Sequence, residues 1–313
     1  MAVIATLCFI ARAPAQAQAQ PATAPQQPAD SLSRKEPQQS TASQQPTDSI
    51  PHQHRKHSYL ETALSFQNND VYLGRKPATT LPYYIPALSY YHKSGLFLSS
   101  SLDYLKNSQL SRIDLFTIDA GYMFTTHKYE GTLTLTKYFY NSQSTNLASE
   151  IRSAIAYGNA YDLGFIKPRL TLTLNFSEKT DVEALFDLEH TFSLFSDKLD
   201  ITPTMTMEGS SLNYYDSYRR RKYKTKKKSG TAAVTSSVEN ASAFRLMDYE
   251  PSLPVEYTIG KCTLSFTPAY AIPVNPATID VHTVRDDGTV LDTTRKEQIG
   301  NSFYFTLGAS FLF

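Results

Sequence analysis

The chain has 313 residues, of which 41% are hydrophobic, and a formal net charge of +1. No apolar stretch approaches the ~20 residues that a membrane-spanning helix requires, which excludes a helical membrane protein. A membrane β-barrel is not excluded, because only every second residue of its strands meets lipid and its mean hydropathy stays low.

The first residues have the features of an export signal. An apolar segment at 2–11 precedes the small-residue pattern Ala-Gln-Ala-Gln-Ala at 15–19, which is typical of a cleavage site. The next segment is rich in Gln, Pro, Ala, Ser and Thr, and it cannot bury enough apolar surface to offset its ordering entropy. We therefore predict a signal peptide over 1–19, a disordered spacer over 20–56 and a folded domain over 57–313.

Within that domain, apolar and polar residues alternate with a period of two, which is the spacing of β-strands. The last segment shows it most clearly, since every second residue from Phe303 to Phe313 is apolar. Several segments are longer than the ~5–6 residues usual for strands in soluble proteins and match the ~9–11 residues that a tilted strand needs to cross a bilayer.

The alternating segments predict about twelve strands, within a range of about ten to fourteen. Tight turns such as Lys93-Ser94 and Gly260-Lys261 alternate with longer connections at 68–80, 210–247 and 274–298. Short turns at one end and long loops at the other are typical of bacterial barrels, in which the turns are periplasmic. We predict an all-β fold, an antiparallel up-and-down transmembrane β-barrel, with both termini in the periplasm.

These features resemble the outer-membrane β-barrel superfamily of Gram-negative bacteria, over residues 57–313. In that superfamily, a terminal alternating run that closes on Phe is the recognition signal for the barrel-assembly machinery. The resemblance implies that this machinery is a partner, that outer-membrane lipid and lipopolysaccharide surround the protein, and that no cofactor is needed. It implies the role of assembly signal for Phe303, Phe305, Phe311 and Phe313.

If the apolar faces meet lipid, the polar faces line the lumen. An acidic, water-filled lumen favours cations. A barrel of about twelve strands is narrower than an open porin, so a packed and hydrated interior that does not conduct is the alternative. The carboxylates predicted to lie inside are Glu61, Asp103, Asp119, Glu130, Glu183, Asp187, Glu189, Asp200, Glu208 and Glu256.

A basic run falls in the longest predicted connection. Outside the cell the nearest polyanion is the phosphate-rich lipopolysaccharide core, so we predict that this loop binds it. The alternatives are a mobile, solvated loop tip and a loop that folds inward and partly plugs the lumen. Nucleic acid is not expected, and no partner protein can be named. The run consists of Arg219, Arg220, Arg221, Lys222, Lys224, Lys226, Lys227 and Lys228, interrupted by Tyr223 and Thr225.

The motif His92-Lys93-Ser94-Gly95 is the main catalytic candidate, because a hydroxyl nucleophile needs a base beside it. It resembles the His-x-Ser-Asn-Gly pattern of outer-membrane phospholipases, but it lacks the Asn and falls in a predicted periplasmic turn. We predict a narrow pore or a structural and surface-interaction protein, with no catalytic or metal-binding residues. The alternatives are an outer-membrane lipid-modifying enzyme and a secreted β-sandwich or lipocalin-like carrier, whose apolar face would point inward.

Overall fold

A computed structural model describes residues 57–77, 79–222, 233–285 and 287–313. The predicted signal peptide and spacer lie outside these ranges, as do four lysines of the basic run, Lys224, Lys226, Lys227 and Lys228. The domain boundaries at the N-terminus therefore stay predictions. No helix in the described ranges is long and apolar enough to cross a membrane.

The described residues form strands in the following order: β1 (Tyr59–Gln67), β2 (Tyr83–Tyr91), β3 (Leu96–Lys106), β4 (Ser111–Thr126), β5 (Tyr129–Tyr140), β6 (Ser153–Tyr161), β7 (Lys167–Phe176), β8 (Thr180–Glu189), β9 (Phe192–Leu194), β10 (Leu199–Ile201), β11 (Thr204–Ser210), β12 (Ala233–Val238), β13 (Arg245–Ser252), β14 (Val255–Ile259), β15 (Cys262–Pro273), β16 (Thr278–Val284), β17 (Val290–Lys296) and β18 (Ser302–Leu312). A helix, α1 (Asn213–Lys222), lies between β11 and β12.

Twelve of these strands form a closed antiparallel barrel. Strands β1 to β8 pair in chain order, followed by β11, β13, β15 and β18, and β18 pairs with β1 to close the ring. Closure leaves no free edge on the barrel, so every strand can satisfy its backbone hydrogen bonds inside the sheet. The predicted fold class and strand number are confirmed.

The short strands β9, β10 and β14 extend β8, β11 and β13 after brief interruptions, and β14 pairs with β15 in the barrel wall. Residues 199–208 alternate as a single strand would, but β10 and β11 are separate. Pro203 falls between them, and because proline has no backbone N–H to donate, it interrupts the ladder there.

The connections are all short at one end of the barrel, the turn end, and most of them are longer at the other, the loop end. Phe313 N donates to Leu60 O at 2.9 Å, so the described barrel begins and finishes at the turn end. The turns are 92–95, 127–128, 162–166, 195–198 and 260–261. The loops are loop 1 (68–82), loop 2 (107–110), loop 3 (141–152), loop 4 (177–179), loop 5 (211–244) and loop 6 (274–301).

Loops 5 and 6 have secondary structure of their own. The Asp287-Gly288 turn joins β16 to β17, but this hairpin does not enter the barrel. It pairs with β12 in a separate three-stranded sheet. All seven residues of β17 are exposed, so the strand lacks the alternation of lipid-facing and inward residues that a barrel strand requires.

The apolar face of the barrel points outward. In β5, the side chains of Leu133 and Leu135 are 45% and 51% exposed, whereas Thr134 and Thr136 between them are 7% and 6% exposed. A soluble carrier would require the opposite orientation, with apolar side chains inside. Leucine and phenylalanine side chains on the outside of a closed barrel are suited to contact with lipid.

Candidate functional site: an acidic lumen closed by a plug

The barrel places the ten predicted carboxylates on its inward face, where nine are buried and Glu130 is half-buried. Four more inward carboxylates were missed: Asp114, Asp181, Asp248 and Glu250. Asp114 was missed because β4 contains an irregularity opposite Asp103, which shifts the register and buries both Asp114 and Leu115. A bulge turns a side chain to the other face, which period-two alternation cannot anticipate.

Small side chains face the middle of the lumen. Ala63, Ala87 and Ala156 are half-buried there, and Ser65 and Ser101 are buried. At Gly308, an added Cβ would lie 2.4 Å from the Ser265 hydroxyl oxygen of the neighbouring strand. Small residues at these positions keep the centre of a narrow barrel from being filled by its own side chains.

Ion pairs line the lumen near the turn end. Arg169 Nη2 lies 3.2 Å from Glu189 Oε1 and 3.9 Å from Glu130 Oε2, and Lys167 also pairs with Glu130. The Glu189 side chain has no exposed surface, so Arg169 supplies the positive charge that its burial requires.

The loop end is closed by an apolar cluster, which we call the plug. The plug combines loop 1, loop 3 and α1 with the first residues of loop 6. Its members pack together over the mouth of a polar lumen, which makes it a small hydrophobic core rather than a solvated rim. The buried members are Tyr72, Leu73, Leu147, Ala148, Ile151, Leu212, Tyr214, Tyr215, Tyr218, Val238, Met247 and Ala277.

Asp181 on the barrel wall holds the first turn of α1. Its Oδ1 accepts hydrogen bonds from Ser211 Oγ at 2.6 Å and Asn213 N at 2.7 Å, and its Oδ2 accepts one from Tyr214 N at 2.7 Å. The first backbone N–H groups of a helix lack partners within the helix, and the helix dipole favours an anion beside them. A fully buried wall carboxylate therefore caps the plug helix.

Loop 1 is fixed to the wall by a tyrosine. Tyr72 OH donates to Glu183 Oε2 at 2.6 Å, and Asn175 Nδ2 donates to the same oxygen at 3.1 Å. Burial, then the neighbouring Glu183 charge, raises the pKa of Tyr72, so the phenol keeps the proton that it donates.

A second link joins loop 1, α1 and loop 6. Glu297 accepts hydrogen bonds from Arg75 Nε at 3.1 Å and from Tyr215 OH at 2.5 Å. The Arg75 guanidinium also lies 5.3 Å from the centre of the Tyr215 ring, within the range of a cation–π interaction. Loop 1, α1 and loop 6 are thus tied to one another by charge-assisted contacts that are mostly shielded from water.

The described part of the basic run, Arg219 to Lys222, is helical. Arg219 is 7% exposed and donates to Ser236 Oγ and Tyr215 OH. Arg220 pairs with Asp216 at 2.7 Å, and Arg221 pairs with Glu150. The side chains of Arg220 and Arg221 are 54% and 42% exposed, so they also face solvent.

The His92–Ser94 pair lies in the exposed turn between β2 and β3. His92 Nδ1 is 2.8 Å from Ser94 Oγ and accepts from Ser94 N at 3.3 Å. These contacts close the turn itself. In the described ranges, no group of three or more His, Cys, Asp or Glu side chains is arranged to hold a metal ion.

The terminal phenylalanines face outward from β18. Phe303, Phe311 and Phe313 are 57%, 41% and 62% exposed, and Phe305 is half-buried. Strand β18 pairs with β1 from Thr306 to Leu312. These positions present an aromatic row on the lipid-facing side of the closing strand, and their role in assembly stays a prediction.

No family model and no curated protein sequence matches the chain. The solved structures similar to it are outer-membrane β-barrels. The KdgM porin is 8% identical with a TM-score of 0.42, over 81% of this chain and 98% of that chain. BamA from Haemophilus ducreyi lacking POTRA domains 1-3 is 11% identical with a TM-score of 0.34, over 82% and 71%. OmpT, an outer membrane protein of Vibrio cholerae, is 9% identical with a TM-score of 0.30, over 82% and 96%. At these values the likeness concerns the barrel architecture alone.

Proposed function

We propose that this protein is a narrow, cation-preferring pore of the outer membrane whose loop end is closed by the plug. The outward apolar face supports the membrane location, because a closed barrel with leucines and phenylalanines outside is stable in lipid. Turns and both termini then face the periplasm, and the plug faces the exterior.

The observation that carries the proposal is the combination of an acidic lumen with a closure at one end. Inward carboxylates such as Asp119, Asp187 and Glu208 outnumber the inward basic side chains, which include Lys167, Arg169 and Arg112. Rings of carboxylates raise the local concentration of cations in a pore and exclude anions. The small residues at mid-barrel support a passage behind the plug, because they do not fill the lumen themselves.

A surface-interaction role is the second candidate. The exposed parts of Arg220 and Arg221 lie at the end of α1 that leads into the remaining lysines of the basic run. Guanidinium groups form strong paired hydrogen bonds with phosphate. This supports binding of α1 and its extension to lipopolysaccharide phosphate, with or without conduction.

The direct test replaces loop 5 with a two-residue Asn-Gly turn that joins Ser210 to Arg245, which are paired across β11 and β13. In planar bilayers, the wild-type protein should be mostly silent, and the variant should show steady conductance steps. Under a salt gradient, the reversal potential should have the sign of a cation-selective pore, because the lumen carboxylates remain.

Anion selectivity of the loop-5 variant would contradict the assigned role of the lumen. A refolded variant that stays silent would contradict the pore, and the surface role would then be tested by binding to lipopolysaccharide vesicles. A lipid-hydrolysis assay on the wild-type protein with a Ser94→Ala control addresses the enzyme alternative, and we expect equal background rates for both.

Removing Phe313 should reduce the amount of assembled barrel in cells several-fold, because the superfamily resemblance implies that the terminal aromatic residue is read by the assembly machinery. Refolding of the same variant in detergent should be nearly unchanged, since Phe313 is 62% exposed. Heat-modifiable gel mobility measures the assembled barrel in outer-membrane fractions and the folded barrel in detergent.

Deletion of the spacer residue Gln45 is the matched control. Equal levels of both variants in cells would contradict the role of Phe313.

A further inference from the structure

Three buried carboxylates meet where loop 1 lies against the barrel wall. Asp70 comes from loop 1, Asp103 from β3 and Asp114 from the irregular position of β4, and they are 1%, 0% and 1% exposed. Loop 1 also carries Tyr72 and Arg75, which tie the plug together. The carboxylate of Asp70 therefore belongs to a loop of the plug, and the other two belong to the wall.

The three carboxylates are unequally supplied with hydrogen bonds. Asp114 accepts from Arg112 Nε at 2.8 Å, Tyr83 OH at 2.9 Å and Ser144 Oγ at 2.7 Å, so both of its oxygens have donors. Both carboxylate oxygens of Asp103 and Oδ2 of Asp70 have no hydrogen-bond partner among the described residues. A buried carboxylate without partners is costly to ionise.

The charged and titratable groups that face Asp70 do not offset this. They are Asp103 on β3, Asp114 and Arg112 on β4, Tyr83 on β2 and Tyr140 on β5. Arg112 is already paired with Asp114, and the tyrosines are neutral. A metal ion is not accommodated, because no group of three ligands is suitably arranged in the described ranges. A proton is the cation that fits a site without accessible surface.

We propose that loop 1 is a proton-dependent latch, in which the closed plug holds a proton on Asp70 or Asp103 and the mouth opens when that proton is lost. This rests on the proposed pore and adds its regulation. In the open state Asp70 moves into water, the repulsion among the three carboxylates falls, and Asp103 becomes hydrated.

Closure of the mouth is linked to proton binding, which fixes the direction of its pH dependence. Burial, then the charge of Asp114, raises the pKa of Asp70 from its ordinary value to about 7 in the closed state. The closed state therefore binds more protons than the open state at intermediate pH, and closing is favoured as pH falls. The stabilisation of the closed state is lost as the pH rises through about 7.

The test is the open probability of the full-length protein in planar bilayers at about pH 6 and about pH 8. We expect it to rise roughly tenfold with pH in the wild-type protein. Asp70→Asn, which mimics the protonated form, should stay closed at both values. Asp287→Asn, which removes an exposed loop-end carboxylate, should behave as the wild-type protein does.

The loop-5 replacement separates the two proposals. If it conducts at both pH values, the pore stands. The latch is then wrong if wild-type conductance does not depend on pH, or if the open probability of Asp70→Asn rises with pH as that of the wild-type protein does. If the replacement is silent, a Leu73→Cys variant with Cys8 and Cys262 replaced by serine tests the latch alone. Leu73 is 1% exposed in loop 1. Its maleimide reaction, normalised to the unfolded protein at the same pH, should be faster at the higher pH, and equal rates would overturn the latch.

Discussion

Replacing Asp181 with alanine should open the plug and increase the ratio of open to closed protein about 100-fold. The substitution leaves the backbone N–H groups of Asn213 and Tyr214 without their acceptor, together with the hydroxyl of Ser211. Stranding buried donors costs about 1–3 kcal/mol for each group. Part of this is recovered by water entering the opened mouth, so we expect a net shift of about 3 kcal/mol.

Single-channel recording of the open probability measures this shift. Asp181→Asn retains one acceptor oxygen and should open the plug less than alanine does. Asp187→Ala is the matched control, because Asp187 lies on the same face of β8 and accepts from Thr206, which belongs to the barrel wall and not to the plug. Equal open probabilities for Asp181→Ala and Asp187→Ala would show that Asp181 does not hold the mouth closed.

The barrel could be predicted from sequence because its signal is local. The neighbours of Thr134 on both sides are leucines, and lipid outside and a polar lumen inside require this alternation at each strand crossing. Strand starts, turn positions and the placement of the lumen carboxylates follow from the same pattern. It fails where the backbone departs from a regular strand, as at Asp114, whose side chain points inward because of a register shift.

A plug formed by the basic loop was one alternative from the sequence, but the packing of the plug could not be predicted because its causes are distant in sequence. The segment of α1 combines tyrosines with arginines, a composition that predicts a polar loop. It also has no acceptor of its own that caps the helix. Its cap is Asp181, which is 32 and 33 residues away from the two backbone groups that it binds. Arg75 and Glu297, which are 222 residues apart, are another such pair. Contacts of this kind depend on the closed barrel bringing the loops together.

Arg169→Ala should lower the free energy of unfolding of the barrel by about 3 kcal/mol, which is the lower end of the range for breaking a buried ion pair. Removing the guanidinium leaves Glu189 buried without its partner at 3.2 Å. Urea unfolding of the protein in lipid vesicles, followed by heat-modifiable gel mobility, measures the change. Arg221→Ala is the matched control, because its partner Glu150 and its own side chain are partly exposed, and a loss of only about 0–1 kcal/mol is expected.

The double variant Arg169→Leu with Glu189→Leu decides what the ion pair contributes. Because an apolar pair of similar volume removes both charges, it should recover most of the stability that Arg169→Ala loses. Recovery would mean that Glu189 itself is shielded from the water of the lumen, so that an unpaired charge there is costly. If Arg169→Ala instead loses no more than the surface control, water reaches Glu189 directly. That result would mean that the hydrated passage extends to the wall around Glu189 as well.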